Sequence, residues 1–298
     1  MRILITGAYG LLGKKVANLF SVEKSFEVFA FVRNELLSNN IANVQYYSVD
    51  LVDLAALQKV LDEIKPEVII HCAANVNLID CEKNPDYTQK LHVISTTVLS
   101  QSLGLKKFIY ISTDSVFDGK KGAYLECDEV CPLNNYARTK WEGEMAALNN
   151  FEQTVIIRTN IYGLNSPLKN SLAEWAIQNL SSNNLVNGFV DVIFNPVSTG
   201  QLSSFLKVIA VSEFNGIINV VSNEPLSKYE YLLKIARLLN KNEKLVNPAS
   251  LLSYQSEIER PLNTSLDGNM LKRMFGIQFS IDEGLKELIE EFKENQYE

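Results

Sequence analysis

No stretch of this 298-residue chain stays apolar for the roughly 18–20 residues that a bilayer-spanning helix needs. It has no surplus of positive charge. With 28 Lys and Arg against 35 Asp and Glu, the net charge is −7, which argues against a general nucleic-acid or membrane-surface binder but leaves room for an anionic small ligand held by local groups. Repeats and low-complexity tracts are missing. The four cysteines (Cys72, Cys81, Cys127, Cys131) form no C-x-x-C pair, and Cys127 and Cys131 have no histidine nearby, so neither a disulfide framework nor a zinc site is expected. Reduced thiols in a cytoplasmic protein are the expectation. At the N-terminus, Arg2 followed by Ile3-Leu4-Ile5 imitates the start of a signal peptide. Thr6 and Gly7 interrupt the apolar run, and Lys14-Lys15 stand where small residues should be, so no signal is expected.

What is present is an alternation. Short β-branched runs at 2–6, 27–32, 44–48, 67–72, 107–112 and 154–158 are separated by amphipathic stretches at 10–20, 54–64, 85–103 and 136–149. Strands too apolar to alternate, divided by helices, predict an α/β fold with a doubly wound parallel sheet covered on both faces. Ligands on such sheets bind beyond the carboxyl ends of the strands. After Gly163 the rhythm breaks, with loop markers at Ser166-Pro167, 181–184 and Asn247-Pro248. Helices are expected at 171–180, 200–211, 228–240 and 281–294, with short strands at 189–193 and 216–220. The expected division is 1–160 for nucleotide binding and 161–298 for a smaller, mostly helical substrate lobe, with interleaved contributions allowed. The Glu- and Lys-rich end reads as a solvated helix face.

Directly after the first strand stands Gly7-Ala8-Tyr9-Gly10-Leu11-Leu12-Gly13. Glycines at this spacing let the backbone approach a pyrophosphate while the following helix presents its positive end. The second strand runs into Arg33 rather than the Asp or Glu that grips a ribose 2′-hydroxyl. Arg33 suits a 2′-phosphate, so NADP(H) is favoured, with NAD(H) as second choice. Farther on, Tyr136 and Lys140 lie four apart and share a helix face. An ammonium near a phenol lowers the phenol's pKa and equips it to exchange protons. Thr113, at the end of the fifth strand, offers a hydroxyl beside them.

These segments carry a resemblance to the extended short-chain dehydrogenase/reductase superfamily over essentially the whole chain, and within it to the dTDP-4-dehydrorhamnose reductases. The run Ser112 to Gly119 is similar to that family's S-T-D-Y-V-F-D-G, with Ser115 in place of Tyr. Pro132-Leu133-Asn134-Asn135-Tyr136 resembles its P-L-N-x-Y. Arg260-Pro261-Leu262-Asn263, followed by Leu266-Asp267, resembles R-P-x-N-x-x-L-D, and Arg158 to Gly163 resembles a superfamily segment at the start of the substrate lobe. The resemblance implies a Rossmann-like nucleotide domain and a catalytic set of Thr113, Tyr136 and Lys140. It implies Gly7, Tyr9, Gly10, Leu11, Leu12, Gly13, Arg33, Asp50, Leu51, Cys72, Ala73 and Ala74 around the dinucleotide. Thr113, Asp114, Asn160 and Arg260 are implied toward a sugar nucleotide.

The departures matter too. His71 and His92 stand where relatives commonly have Asn, and structural roles are expected for both. Ser115 replaces the glutamate that dehydratases use as base, and Val116-Phe117-Asp118-Gly119 suits reductases better than the Val-Tyr-Gly of epimerases. The expected activity is NADPH-dependent reduction of a nucleotide-linked 4-keto-6-deoxyhexose. The alternatives are a related sugar-nucleotide reductase or epimerase, or a non-catalytic NADP-binding regulatory subunit like that of methionine adenosyltransferase. No metal is expected, and a homodimer is the commonest arrangement.

Overall fold

The computed structural model describes residues 1–33, 40–165, 167–169, 171–254 and 257–294. The chain opens with β1 (Arg2–Thr6), α1 (Leu11–Ser21), β2 (Glu27–Val32), β3 (Val44–Ser48), α2 (Leu54–Ile64) and β4 (Val68–His71). Then come α3 (Leu78–Lys83), α4 (Pro85–Gln89), a π-helical turn at Lys90–Ile94, α5 (Ser95–Ser100), β5 (Lys107–Ile111), α6 (Asn135–Asn150) and β6 (Thr154–Arg158). The strand order in the main sheet is Gly216–Asn219, β6, β5, β4, β1, β2, β3. Every pairing from β3 to β6 is parallel, with registers such as Ile3 opposite Val28 and Ile70 opposite Ile109. This is the doubly wound, Rossmann-like α/β fold. The strand order reverses between β1 and β4, so a crevice opens beyond the carboxyl ends of these two strands, where such sheets take their ligands.

Two compact units make up the chain. The first comprises Met1–Val116, Pro132–Arg158 and Ser203–Ile218, the second Phe117–Cys131, Thr159–Leu202 and the chain from Asn219 on. In the first unit, continuous apolar strands let both faces of the sheet bury side chains, among them Leu4, Phe29, Phe31, Ile69, Phe108 and Ile156. The helix expected over 85–103 is interrupted by the π turn and ends at Ser100. The strand expected at 216–220, read as part of the later lobe, instead lies at the edge of the main sheet beside β6. A short β-branched run announces a strand but not its partner.

The second unit is built on its own core, including Tyr162, Trp175, Phe194, Tyr231, Leu285 and Phe292. Its helices are Leu172–Ser181, Lys228–Leu238 and Ile281–Glu294, with Asn269–Phe275 as one that the periodicity did not announce, while the helix Thr199–Ile209, expected in the later lobe, begins in this unit and continues into the first at Ser203. Capping boxes start two of them, Ser171 with Glu174 and Ser227 with Glu230. In place of one strand at 189–193 there are two, Val186–Phe189 and Ile193–Phe194. Ser166 and the last four residues of the acidic end lie outside the described residues. Among the described residues no helix is long and apolar enough to cross a membrane. All four cysteines are free thiols.

Candidate active site

The glycine loop sits at the carboxyl end of β1. Gly7 adopts φ +66°, and a Cβ there would lie 2.9 Å from the backbone of Ala73, so the loop and the segment after β4 touch through main chain alone. The Gly10 N–H donates to the Gly7 carbonyl at 2.8 Å, closing the turn. A Cβ on Gly13 would collide with the Gly7 carbonyl. Helix α1 then begins with no side chain capping its first amides and no acidic residue in its first turn. That is an anion cradle whose donors no carboxylate competes for, so the residues present fit a dinucleotide pyrophosphate. Leu11 and Leu12 open the helix, Leu12 turning into the core.

The other residues expected near the dinucleotide lie in the first unit. Tyr9 stacks on Tyr46 with ring centroids 5.6 Å apart, and its hydroxyl donates to Asn40 Oδ1 at 2.6 Å. Arg33 is exposed at the end of β2, its guanidinium donating to the Tyr87 hydroxyl at 3.2 Å. That bond raises its pKa further, with Asp50 and Asp80 acting in the same direction, so its charge is permanent. Asp50 accepts from the Val52 amide at 3.2 Å, and Leu51 is buried. Cys72, Ala73 and Ala74 follow β4. The Ala73 amide donates to Thr6 Oγ1 at 3.2 Å, and burial pushes the Cys72 thiol up to about 12, which leaves it protonated and unreactive.

Thr113 and the start of α6 lie on the same side of the sheet as the glycine loop, because β1 and β5 run parallel. Asn134 caps α6 by accepting the Ala137 amide at 3.0 Å. One turn in, Tyr136 and Lys140 stand on one face. Burial pushes the Tyr136 phenol up to about 12, with the influence of the Thr113 hydroxyl acting in the opposite direction. Thr113 Oγ1 is itself held by the Ser115 amide at 3.1 Å and bonds Asp114 Oδ1 at 3.2 Å. Lys140 is buried. Its ammonium donates to the Ile111 carbonyl at 2.8 Å and lies 3.9 Å from the centroid of the Tyr110 ring. Desolvation lowers it to about 7, against the opposing influence of Glu144 and Cys72. The lowering of Tyr136 expected from the i, i+4 spacing is therefore absent. The spacing sets which face the two groups share, but the ammonium is turned to the Ile111 carbonyl and the Tyr110 ring, and desolvation governs the phenol.

Both histidines are buried. His71 Nδ1 meets Thr6 Oγ1 at 2.6 Å, and its ring sits 5.5 Å from that of Tyr110. His92 accepts the Asn75 amide on Nε2 at 2.9 Å, while Nδ1 meets Thr139 Oγ1 at 2.8 Å. Burial drives His92 down from 6.5 to about 3 and His71 well below 6.5. Folded histidines are then neutral at pH values where unfolded ones bind a proton. Their contribution to stability is intact above about pH 6.5 and is lost as pH falls toward 3, by about 1.4 kcal/mol per pH unit for each ring. Urea unfolding midpoints are expected to drop between pH 6.5 and 5, with a shallower slope in His92→Asn. Equal slopes in the two proteins would refute this account of His92.

Sequence reading did not anticipate the polar layer beneath this site. Ser112 donates to Glu144, which lies one further turn along the face of Tyr136 and Lys140 and forms a buried ion pair with Arg158. The i, i+4, i+8 spacing of Tyr136, Lys140 and Glu144 was the available signal. Asp114 is buried and accepts from Thr113 and Ser115, so it braces its own turn.

In the second unit the two reductase-like motifs pack on one another. Gly119, at φ +74°, backs onto Pro261, and the Asn263 amide donates to the Gly119 carbonyl at 3.0 Å. Tyr124 stacks on Phe117 at 4.2 Å and donates to Asp118 Oδ1 at 2.6 Å. Arg260, next to Pro261, is exposed. The Asn160 carbonyl accepts the Val197 amide at 2.9 Å.

Comparison with known proteins gives four findings. A family model described as RmlD substrate binding domain matches residues 1–294. Among characterised relatives, the dTDP-4-dehydrorhamnose reductase of Aggregatibacter actinomycetemcomitans is 28% identical over 295 residues, covering 93% of this chain and 94% of that protein. Methionine adenosyltransferase 2 subunit beta of Mus musculus is 30% identical over 296 residues, covering 96% and 86%. Among solved structures, dTDP-4-dehydrorhamnose reductase from Bacillus anthracis in complex with NADP matches with a TM-score of 0.82 at 25% identity, over 97% of this chain and 99% of that one.

Proposed function

We propose, from the premise that this chain belongs to the RmlD substrate binding domain family, that it is an NADPH-dependent reductase of a nucleotide-linked 4-keto-6-deoxyhexose, with a dTDP sugar as the first candidate. The observation that carries this reading is the placement of Thr113 after β5 and of Tyr136 and Lys140 on one face of α6, on the side of the sheet that bears the glycine cradle. The NADP complex of the Bacillus anthracis relative supports the choice of cofactor.

When bound, NADPH supplies the hydride. The protein's own groups do the rest. Tyr136, held protonated by its burial, gives its proton to the carbonyl oxygen as that oxygen becomes an alkoxide. The Thr113 hydroxyl orients the same oxygen. Lys140, depressed to about 7, gains charge whenever an anion or developing oxyanion comes near, so its part is electrostatic. Arg33 pairs with the 2′-phosphate, and Arg260 and Asn160 are the second unit's candidates for the sugar nucleotide.

The direct test follows NADPH oxidation with dTDP-, UDP-, GDP- and CDP-linked 4-keto-6-deoxyhexoses. Turnover with one nucleotide series is expected, and a protein that binds NADPH but reduces none of them overturns the proposal. Arg33→Ala should weaken NADPH binding by about tenfold while leaving NADH binding nearly unchanged. Calorimetric titration reads both, and equal losses would remove the 2′-phosphate assignment.

A second reading is favoured by the similarity to methionine adenosyltransferase 2 subunit beta. It makes the chain a non-catalytic, NADP-binding regulatory subunit. Stoichiometric capture of an adenosyltransferase, together with no turnover in the panel above, would select it. The candidate groups Thr113, Tyr136 and Lys140, all present here, favour the enzyme.

A further inference from the structure

Three hydrogen bonds run in series from the segment after β4 to the catalytic turn of α6. The Asn75 amide donates to His92 Nε2 at 2.9 Å. A backbone N–H can only donate, so Nε2 is the unprotonated nitrogen and the ring proton sits on Nδ1. That proton is directed at Thr139 Oγ1, 2.8 Å away. The Thr139 hydroxyl in turn donates to the Asn135 carbonyl at 2.8 Å, one residue before Tyr136. The His92 ring stands edge-on to the Tyr136 ring, with centroids 6.0 Å apart. His92 lies in the π-helical turn, a wide turn that changes the direction of side chains relative to a regular helix. Its backbone is close to α6 as well, since a Cβ at Gly143 would collide with the His92 carbonyl.

We infer that His92 is a positioning residue for Tyr136. It fixes the distance between the phenol and the segment Cys72–Asn75 that is expected to line the dinucleotide. This deepens the function proposed above and rests on it. Both ring nitrogens are engaged within the protein, so His92 neither gives nor takes a proton in the reaction. It acts through Thr139 and through ring contact. The α6 end of the strut is itself anchored, because the Asn135 amide donates to Glu82 Oε1 and its side chain to the Cys81 carbonyl, both at 2.6 Å. The His92–Thr139 bond therefore adjusts the aim of the first turn of a helix whose start is already held.

The test uses Thr139→Val, which keeps the side chain's shape and deletes its hydroxyl, with Thr139→Ser as rescue and His92→Leu as the companion. Two readouts are taken on the full chain. Protein labelled with 3-fluorotyrosine, its Tyr136 fluorine resonance assigned by loss in Tyr136→Phe, reports the phenol's surroundings without any substrate. The resonance should move in Thr139→Val and return in Thr139→Ser. In the keto-sugar assay, kcat should fall about tenfold in Thr139→Val with KM for NADPH nearly unchanged, recover in Thr139→Ser, and fall no further when His92→Leu is added. An unmoved resonance in folded Thr139→Val overturns the inference, as does a loss confined to melting temperature. Should His92→Leu not fold, the two Thr139 variants decide alone. A parent protein that reduces no keto-sugar defeats the functional reading, while the fluorine measurement still judges the strut.

Discussion

Replacing Tyr136 by Phe is expected to slow turnover by about 10²-fold or more while NADPH binding stays nearly intact. The substitution removes one hydroxyl and little else. The phenyl ring keeps its edge-on contact with His92. Thr113 keeps the Ser115 amide at 3.1 Å and Asp114 Oδ1 at 3.2 Å, so no buried hydroxyl is stranded. The glycine cradle around Gly7 and Gly10 contains no atom of Tyr136. A fall in kcat with unchanged binding would thus report the chemical step alone. Full turnover by Tyr136→Phe on a keto-sugar that the parent reduces would falsify the assignment of the proton donor.

Breaking the buried ion pair should have the largest effect on stability. Glu144 is fully buried and Arg158 is 2% exposed. Nε of the arginine donates to Oε1 at 3.1 Å and Nη2 to Oε2 at 2.7 Å. Ser112 supplies a third donor. The carboxylate therefore ties the ends of β5 and β6 to α6. Removing one partner leaves a charge in a medium that solvates it poorly. Arg158→Met is expected to cost about 3–5 kcal/mol, a large share of the roughly 5–15 kcal/mol that holds a domain folded. Adding Glu144→Leu should recover part of the loss, since the stranded carboxylate is gone. Urea unfolding of the two proteins decides it. A double variant less stable than Arg158→Met would show that the ion pair is not the source of the loss. The same carboxylate favours the charged form of Lys140, so in Glu144→Gln that lysine should titrate still lower than about 7.

Much of the first unit was legible in the residues. β1, β2, β4, β5 and β6 are predominantly apolar runs, β3 is the mixed edge segment Val44–Ser48, and the glycine loop stands between a strand and a helix in the order that brings it to the sheet's carboxyl edge. Arg33 at the end of β2 and the Tyr136–Lys140 spacing follow from local register in the same way. Less was legible where one element meets another distant in sequence. The run at Gly216–Asn219 was recognisable as a strand, but its place beside β6 follows from pairing more than fifty residues away. A helix over 85–103 was visible, but neither its end at Ser100 nor the π turn that aims His92 at Thr139 was.

By itself, then, the sequence determined what repeats at short range: which segments are strands and helices, which glycines stand at the turn, and which side chains share a helix face. These follow from backbone geometry and neighbouring side chains within a turn or two. Tertiary structure alone decided the proton affinities of Tyr136, Lys140 and His92, the pairing of Glu144 with Arg158, and the strut from Asn75 to Thr139. Those depend on how completely water is excluded and on donors and acceptors brought together across dozens of residues, and no local pattern encodes either one.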